Sequence, residues 1–284
     1  MTEDHEDSIR SPSRRSGGRS RTVRRSRRPP AFIAIPAAIG LALFALPVLG
    51  LLGRAPWRRL ATLLGSDLAQ EALRLSAISS VGAAIISLLL GVPVAWMLCR
   101  YDFPGRSLVR GLVLLPMVLP PVVGGAALLF ALGRRGLVGS PLYEATGLVL
   151  PFSTGGVILA GVFVAMPLMV LTVEGGLRSL DHRFERAAET LGAGRWTVLR
   201  RVTIPMIAPS VVAGIALTWA RALGEFGATL TFAGNLQGRT QTLPLAVFVA
   251  LESDRDTALA LSLVMVIVSL AVLVALRDRW WRSR

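Results

Sequence analysis

The chain alternates long apolar runs with short segments that carry arginine, aspartate and glutamate. A helix that spans a bilayer needs roughly 20 consecutive apolar residues, and each run can hold one. We therefore predict an all-α integral membrane protein with about six transmembrane helices, at residues 29–53, 75–99, 111–133, 145–173, 202–220 and 257–276. A further uncharged run at 240–251 is too short to span, which favours an interfacial or re-entrant segment.

Composition supports a bilayer protein and argues against catalysis by the chain itself. Hydrophobic residues make up 53% of the sequence and charged residues only 17%, unlike a soluble globular domain. With Cys99 as the single cysteine and two histidines, His5 and His182, neither a disulfide nor a metal site is expected. The sequence contains no lysine, so it cannot form a P-loop. If ATP drives this protein, a different subunit must hydrolyse it.

Arginine placement predicts the orientation, because basic loops are retained in the cytoplasm. Six spans put both termini on one side, and a cytoplasmic N-terminus places most of the 31 basic residues inside. Arg54, Arg58 and Arg59 run against this trend, since they fall in an outer loop. The predicted inner segments are 1–28, 99–110, 175–203 and 277–284.

The two ends of the chain are basic. Residues 1–30 contain little that could build a core, which predicts a disordered cytoplasmic tail that attracts anionic lipid rather than nucleic acid. The apolar run at 31–53 is longer than the hydrophobic part of a signal peptide and is predicted as the first retained transmembrane helix. Residues 277–284 are predicted as a second basic cytoplasmic tail.

Proline and glycine interrupt two of the predicted spans. Freed backbone groups in lipid must be satisfied by neighbouring helices or by a cavity that holds water. Such interruptions suit a solute pathway or a close helix crossing, although ordinary membrane packing also uses both residue types. The interrupting residues are Pro116, Pro120, Pro121, Gly124 and Gly125 in one span, and Gly155, Gly156, Gly161 and Pro167 in the next.

The inner loop at 175–203 has the most informative pattern. Helix-forming residues stop at Gly192, and Asp181 is placed to cap the start of the helix. This predicts a short amphipathic helix that lies along the cytoplasmic face and ends in a glycine turn.

This loop resembles the EAA loop of permease subunits of binding-protein-dependent ABC importers. Small residues and a later proline fall on the family pattern, whereas Arg186 stands at the place of its glutamate and Glu185 comes one residue earlier. The resemblance implies a type I ABC importer transmembrane domain whose coupling helix sits in a groove of a separate ATPase subunit. A surface helix that merely contains alanines is the alternative. The implied coupling residues are Glu185, Ala187, Ala188, Gly192, Ala193 and Pro205.

A second stretch, Trp219 to Pro244, is similar to molybdate permease subunits, which are relatives of those for sulfate and tungstate. With the Leu115 to Pro121 run, the resemblance covers about residues 70–276. It implies a homodimer in the plasma membrane, an extracytoplasmic molybdate-binding protein, and ATP and Mg bound by the partner ATPase rather than by this chain. Sulfate, thiosulfate and tungstate remain alternative cargoes.

Ionisable and polar residues near the outer side are candidates for the pathway. Arg221 and Glu225 form an i,i+4 pair at membrane depth and either line the pathway or neutralise each other as a helix lock. The following polar segment suits a passing dianion or a docked binding protein, and a solvated loop explains it equally well. Its candidates are Asn235, Arg239, Thr240 and Thr242.

Two other classes fit the sequence less well. An integral membrane enzyme needs a convergent nucleophile, base or metal set, and the few polar groups in the spans offer none. A secondary transporter is expected to show paired broken helices in two inverted halves with coupling acids at mid-membrane. No such internal repeat is visible, and the EAA-like loop would have no role.

Overall fold

The computed structural model describes residues 30–281, so the predicted tail at 1–30 lies outside the described residues except for Pro30. Residues 277–281 of the predicted C-terminal tail continue the last helix, and residues 282–284 lie outside. All regular elements in the described range are α-helices except for one π-helical turn at Leu199–Thr203. The helices are α1 Ala31–Arg54, α2 Leu60–Leu64, α3 Asp67–Arg100, α4 Arg106–Val118, α5 Pro121–Leu132, α6 Gly139–Thr146, α7 Thr154–Arg178, α8 His182–Thr190, α9 Arg195–Val198, α10 Ile204–Leu223, α11 Gly227–Ala233, α12 Leu243–Ser253 and α13 Arg255–Trp281.

Five elements of the described range are long and apolar enough to cross a membrane. The predicted span at 202–220 is the centre of a longer element that begins in the inner loop, and the one predicted at 145–173 begins only at Thr154. The five elements are Phe32–Arg54, Asp67–Arg100, Thr154–Arg178, Arg195–Leu223 and Arg255–Val272.

The sixth predicted span, at 111–133, is divided between α4 and α5. Leu119 and Pro120 are extended, with ψ angles of 138° and 132°. A proline disfavours helical conformation in the residue before it, and Pro120 and Pro121 therefore end α4 and allow α5 to begin anew. The uncharged run at 240–251 likewise contains a short apolar helix, α12.

The described part of the chain divides into two compact units between Val48 and Leu49. Most of α1 belongs to the first unit, and its bounds agree with the transmembrane helix predicted at 31–53. Two prolines, Pro36 and Pro47, lie within α1. Each lacks the N–H that would bond to the preceding turn, so the helix is weakened locally at both places.

The centre of the second unit is formed by α3, α7 and α10. Small residues allow these helices to approach closely, as is usual between helices in lipid. A β-carbon on Gly161 of α7 would lie 3.0 Å from the β-carbon of Ala83 in α3. One on Gly214 of α10 would lie 2.8 Å from the sulfur of the fully buried Met169. These contacts fix the positions of the three helices that carry the candidate site.

At the end of the bundle opposite α8, side chains hold the loop between α11 and α12. Ser76 of α3 accepts a hydrogen bond from the backbone N–H of Leu243 at 2.7 Å, which satisfies one free donor at the start of α12. Thr154 donates to the carbonyl of Arg239 at 3.0 Å. The loop is therefore anchored to both α3 and α7.

Candidate coupling element and solute pathway

Local hydrogen bonds fix both ends of α8 as predicted. The carboxylate of Asp181 accepts from the N–H of Arg183 at 2.9 Å, which is a typical N-cap. At the other end Gly192 has a φ of 86°, a left-handed conformation that glycine adopts without strain. The predicted N-cap and the predicted glycine turn are both confirmed.

Apart from Glu185, Ala188 and Ala193, the predicted coupling residues of this loop are exposed. The helix α8 contains no buried residue. Ala187 and Gly192 lie at the surface, Ala188 and Ala193 are half-buried, and Leu191 is 88% exposed. Exposed large apolar side chains in a group are typical of a surface that binds another protein. We call the exposed side chains of Phe184, Ala187, Leu191 and Trp196 the docking face.

Glu185 turns away from the docking face and ties α8 to two membrane helices. Its carboxylate accepts two hydrogen bonds from Arg100 at the end of α3, at 2.6 and 2.9 Å. It also accepts one from the hydroxyl of Thr203, at 2.6 Å, where the π-helical turn leads into α10. Glu185 is therefore the point at which α8, α3 and α10 meet.

The charge of Glu185 is strongly stabilised. Burial raises the pKa of Glu185, but hydrogen bonds with Arg100, Thr203 and His182 and the charge of Arg100 outweigh this effect and lower the pKa from 4.5 to about 2. The side chains of Glu185 and Arg100 are only 12% and 21% exposed. The carboxylate is thus ionised throughout the physiological pH range.

The π-helical turn before α10 has a local cause in Pro205. Proline has no N–H to donate and its ring clashes with the carbonyl one turn earlier, so a regular helix is disfavoured at this point. The chain widens over Leu199–Thr203 and then continues as α10, with Pro205 exposed in its first turn. Thr203 is fully buried in this turn, and its hydroxyl bonds to Glu185.

A cavity of about 770 Å³ separates the end of α3 from the loop that carries α8 and α9. Aromatic rings of Trp96, Tyr101 and Trp196 line it together with the Arg100 to Glu185 ion pair. The guanidinium carbon of Arg100 lies 5.1 Å from the Trp96 ring centre, a cation–π distance. Arg100 and Glu185 are in direct contact at one wall of this cavity, so polar contacts join α8 to α3.

The Arg221 and Glu225 pair is formed as the spacing predicted. Arg221 donates to Glu225 at 2.8 Å, and Glu225 also accepts the N–H of Ala228 at 2.9 Å. Glu225 is only 3% exposed, whereas about a third of the Arg221 side chain is accessible. The arginine is therefore the member of the pair that a solute can reach.

The polar segment after α11 is more buried than a solvated loop would be. Thr240 and Thr242 are buried, and the hydroxyl of Thr240 accepts the N–H of Leu236 at 2.8 Å. Asn235 is half-buried and Arg239 is exposed. Thr240 therefore shapes the loop, and among these four pathway candidates only Arg239 is open to solvent.

The sequence matches a known family of transport proteins. Residues 87–282 match the family described as binding-protein-dependent transport system inner membrane component. The chain belongs to this family. The permease is 44% identical over 250 residues to the molybdenum transport system permease protein ModB of Mycobacterium tuberculosis, covering 88% of this chain and 94% of that relative. It is 40% identical over 194 residues to the sulfate transport system permease protein CysW of Synechococcus elongatus, covering 68% of each chain.

The fold of the permease also matches solved transporters. A crystal structure of a bacterial ABC transporter involved in the import of the acidic polysaccharide alginate aligns with a TM-score of 0.68. The alignment covers 89% of this chain and 95% of that chain at 19% identity, which shows the fold alone. The predicted type I ABC importer fold is confirmed, and the permease is a multi-pass inner membrane component of a transport system.

Sequence reasoning missed two charged groups of the permease. Arg100 lies in the predicted inner segment 99–110, and nothing in its sequence neighbours points to Glu185. Glu174 is buried in α7 and accepts hydrogen bonds from Arg110 of α4 and from Arg178, the latter at 2.7 Å. A lone acid within an apolar run is a signal that would have found Glu174.

Proposed function

We propose that this chain is the permease subunit of an ATP-driven importer that moves molybdate across the plasma membrane. The observation that carries the proposal is the 44% identity to molybdenum transport permeases over 88% of the chain. The cargo would be passed through the membrane without any change to its covalent bonds. Sulfate, thiosulfate or tungstate is the second candidate, supported by the similarity to a sulfate permease.

Energy for this movement would come from a separate ATPase subunit that binds ATP and Mg. The docking face supports this, because exposed apolar side chains on a helix without buried residues suit a groove on another protein. The positive φ of Gly192 ends α8 in a turn that leaves Leu191 projecting. Glu185 would then pass the movement of the docked helix to α3 through Arg100 and to α10 through Thr203.

Two further partners belong to the proposal. A second copy of the chain would complete a homodimer with one pathway between the two subunits. An extracytoplasmic binding protein would deliver molybdate, in keeping with the family description and with a solved alginate transporter that is in complex with its periplasmic protein. The arginine-rich inner segments support a cytoplasmic position for α8 and for both termini.

The test is uptake of labelled molybdate by cells that lack this chain, with an intact copy restored in parallel. We expect molybdate uptake to be lost, to return with the intact copy, and to resist competition by excess unlabelled sulfate. Lost sulfate uptake with unchanged molybdate uptake would support an importer whose cargo is sulfate rather than molybdate. No change in the uptake of either anion would contradict the proposal.

A further inference from the structure

A small cavity lies beside the break between α4 and α5. Its volume is about 200 Å³, and its lining is apolar except for Arg221. The apolar part comes from the break at Pro116–Pro121 and from Val164 and Leu168 of α7. Irregular backbone at membrane depth is tolerated where it lines a cavity, and the α4–α5 break satisfies this condition.

The guanidinium of Arg221 has more N–H donors than its described hydrogen bond to Glu225 uses. Among the described contacts its guanidinium makes one hydrogen bond, to Glu225 at 2.8 Å, although the group carries five N–H donors. Both oxygens of Glu225 are engaged, one by Arg221 and the other by the N–H of Ala228. The buried carboxylate therefore holds the arginine in place without using all of its donors.

We propose that this cavity is a transient site for the tetrahedral oxyanion, in which Arg221 supplies the hydrogen bonds and Glu225 limits their strength. The inference rests on the proposed function, because only an oxyanion cargo gives the site its ligand. The planar guanidinium presents parallel N–H groups that match two oxygens of such an ion. A cavity of this size has room for several water molecules and hence for an ion with four oxygen atoms.

Glu225 keeps the binding of the anion weak enough for the anion to leave the site. A solute must bind well enough to enter a pathway and weakly enough to leave it. An unpaired arginine in this apolar cavity would hold a dianion strongly, because attraction between charges grows as the surroundings become less polar. The ion pair leaves the empty site without net charge, so the arriving anion competes with Glu225 for the guanidinium.

The experiment uses the complete transporter, reconstituted in proteoliposomes with its ATPase and loaded with molybdate by its binding protein. Labelled molybdate uptake and ATP hydrolysis are measured together for Arg221→Gln, Glu225→Gln and the double variant. The double variant removes the buried pair as a unit and so leaves no unpaired buried charge. Arg74→Gln, an equal charge change at an exposed residue outside the cavity, is the matched control.

We expect Arg221→Gln and the double variant to lower uptake by about tenfold or more, with ATP hydrolysis and the Arg74→Gln control close to wild type. Glu225→Gln alone should lower the uptake rate severalfold, because the freed arginine releases the anion more slowly. Normal uptake by the double variant would overturn the inference and make the pair a structural lock. A wild-type transporter that takes up no molybdate would instead refute the proposed function.

Discussion

Replacing Glu185 with glutamine should loosen α8 from the membrane helices without changing its docking face. Glutamine has nearly the same shape but no charge, so Arg100 loses its only carboxylate partner among the described residues. Because α8 has no buried residue, apolar packing compensates little for the lost attraction. The variant therefore tests whether this polar link holds the proposed coupling helix in place.

The size of the effect follows from the pKa of Glu185. Its fall from 4.5 to about 2 corresponds to about 3 kcal/mol of preference for the charged form. Partial exposure of Arg100 reduces this value, and charged hydrogen bonds of this kind contribute about 2 kcal/mol when lost. A loss of about 2 kcal/mol raises the fraction of detached α8 by roughly thirtyfold.

Two measurements check this prediction. Hydrogen exchange of the α8 amides should be faster by up to roughly thirtyfold in Glu185→Gln, and less molybdate should be moved for each ATP hydrolysed. Glu189→Gln, the same change at an exposed position of α8, is the control and should behave like wild type. Exchange and coupling that match wild type in Glu185→Gln would refute the reasoning.

The same link makes a prediction about pH. The folded-state pKa of Glu185 is depressed, so its contribution is fully present above 4.5 and is lost as pH falls toward 2. The difference in α8 protection between wild type and Glu185→Gln should therefore be constant from neutral pH down to 4.5 and shrink by more than half at about pH 3. A difference that already disappears near pH 6 would contradict this assignment.

Three further substitutions test local geometry. Gly192→Val should strain the left-handed turn by about 1–2 kcal/mol and uncouple transport from ATP hydrolysis, with membrane insertion intact. Gly194→Val is the control and should remain coupled, because its φ of −66° lies in the ordinary range; equal coupling ratios in the two variants would contradict this prediction. Gly125→Ala should lower thermal stability in detergent by about 1–3 kcal/mol, because its β-carbon would lie 2.7 Å from the carbonyl oxygen of Ala228; an unchanged melting curve would exclude that contact. Ser76→Ala should destabilise by about 1 kcal/mol in the same assay through the uncapped first amide of α12, and full stability would show that water replaces the cap.

Helix positions were predictable wherever length and charge alone decide them. Five spans followed from uncharged apolar runs, because a bilayer imposes one length on every crossing helix. The run at 111–133 failed as a single span because Pro120 and Pro121 act on the backbone of the residue before each, an effect that hydropathy does not register. In the sequence, the division into α4 and α5 appeared only as prolines and glycines that interrupt one predicted span.

The candidate site was predictable where partners are close in sequence. Asp181, Gly192 and the i,i+4 pair of Arg221 and Glu225 are local features, and their positions along the chain fixed their geometry. The Arg100 to Glu185 pair joins residues that are 85 positions apart, and only the tertiary fold brings the end of α3 close to the inner loop. Thr203 was missed for the same reason.

Helix α8 buries none of its residues and is held by a polar link at Glu185. Sequence changes on its outer side therefore cost the membrane domain almost nothing in folding stability. Under the proposed function, selection can then adapt that surface to a particular ATPase subunit while the solute pathway stays the same. The outer surface of α8 and the residues of the solute pathway can therefore diverge in sequence independently of each other.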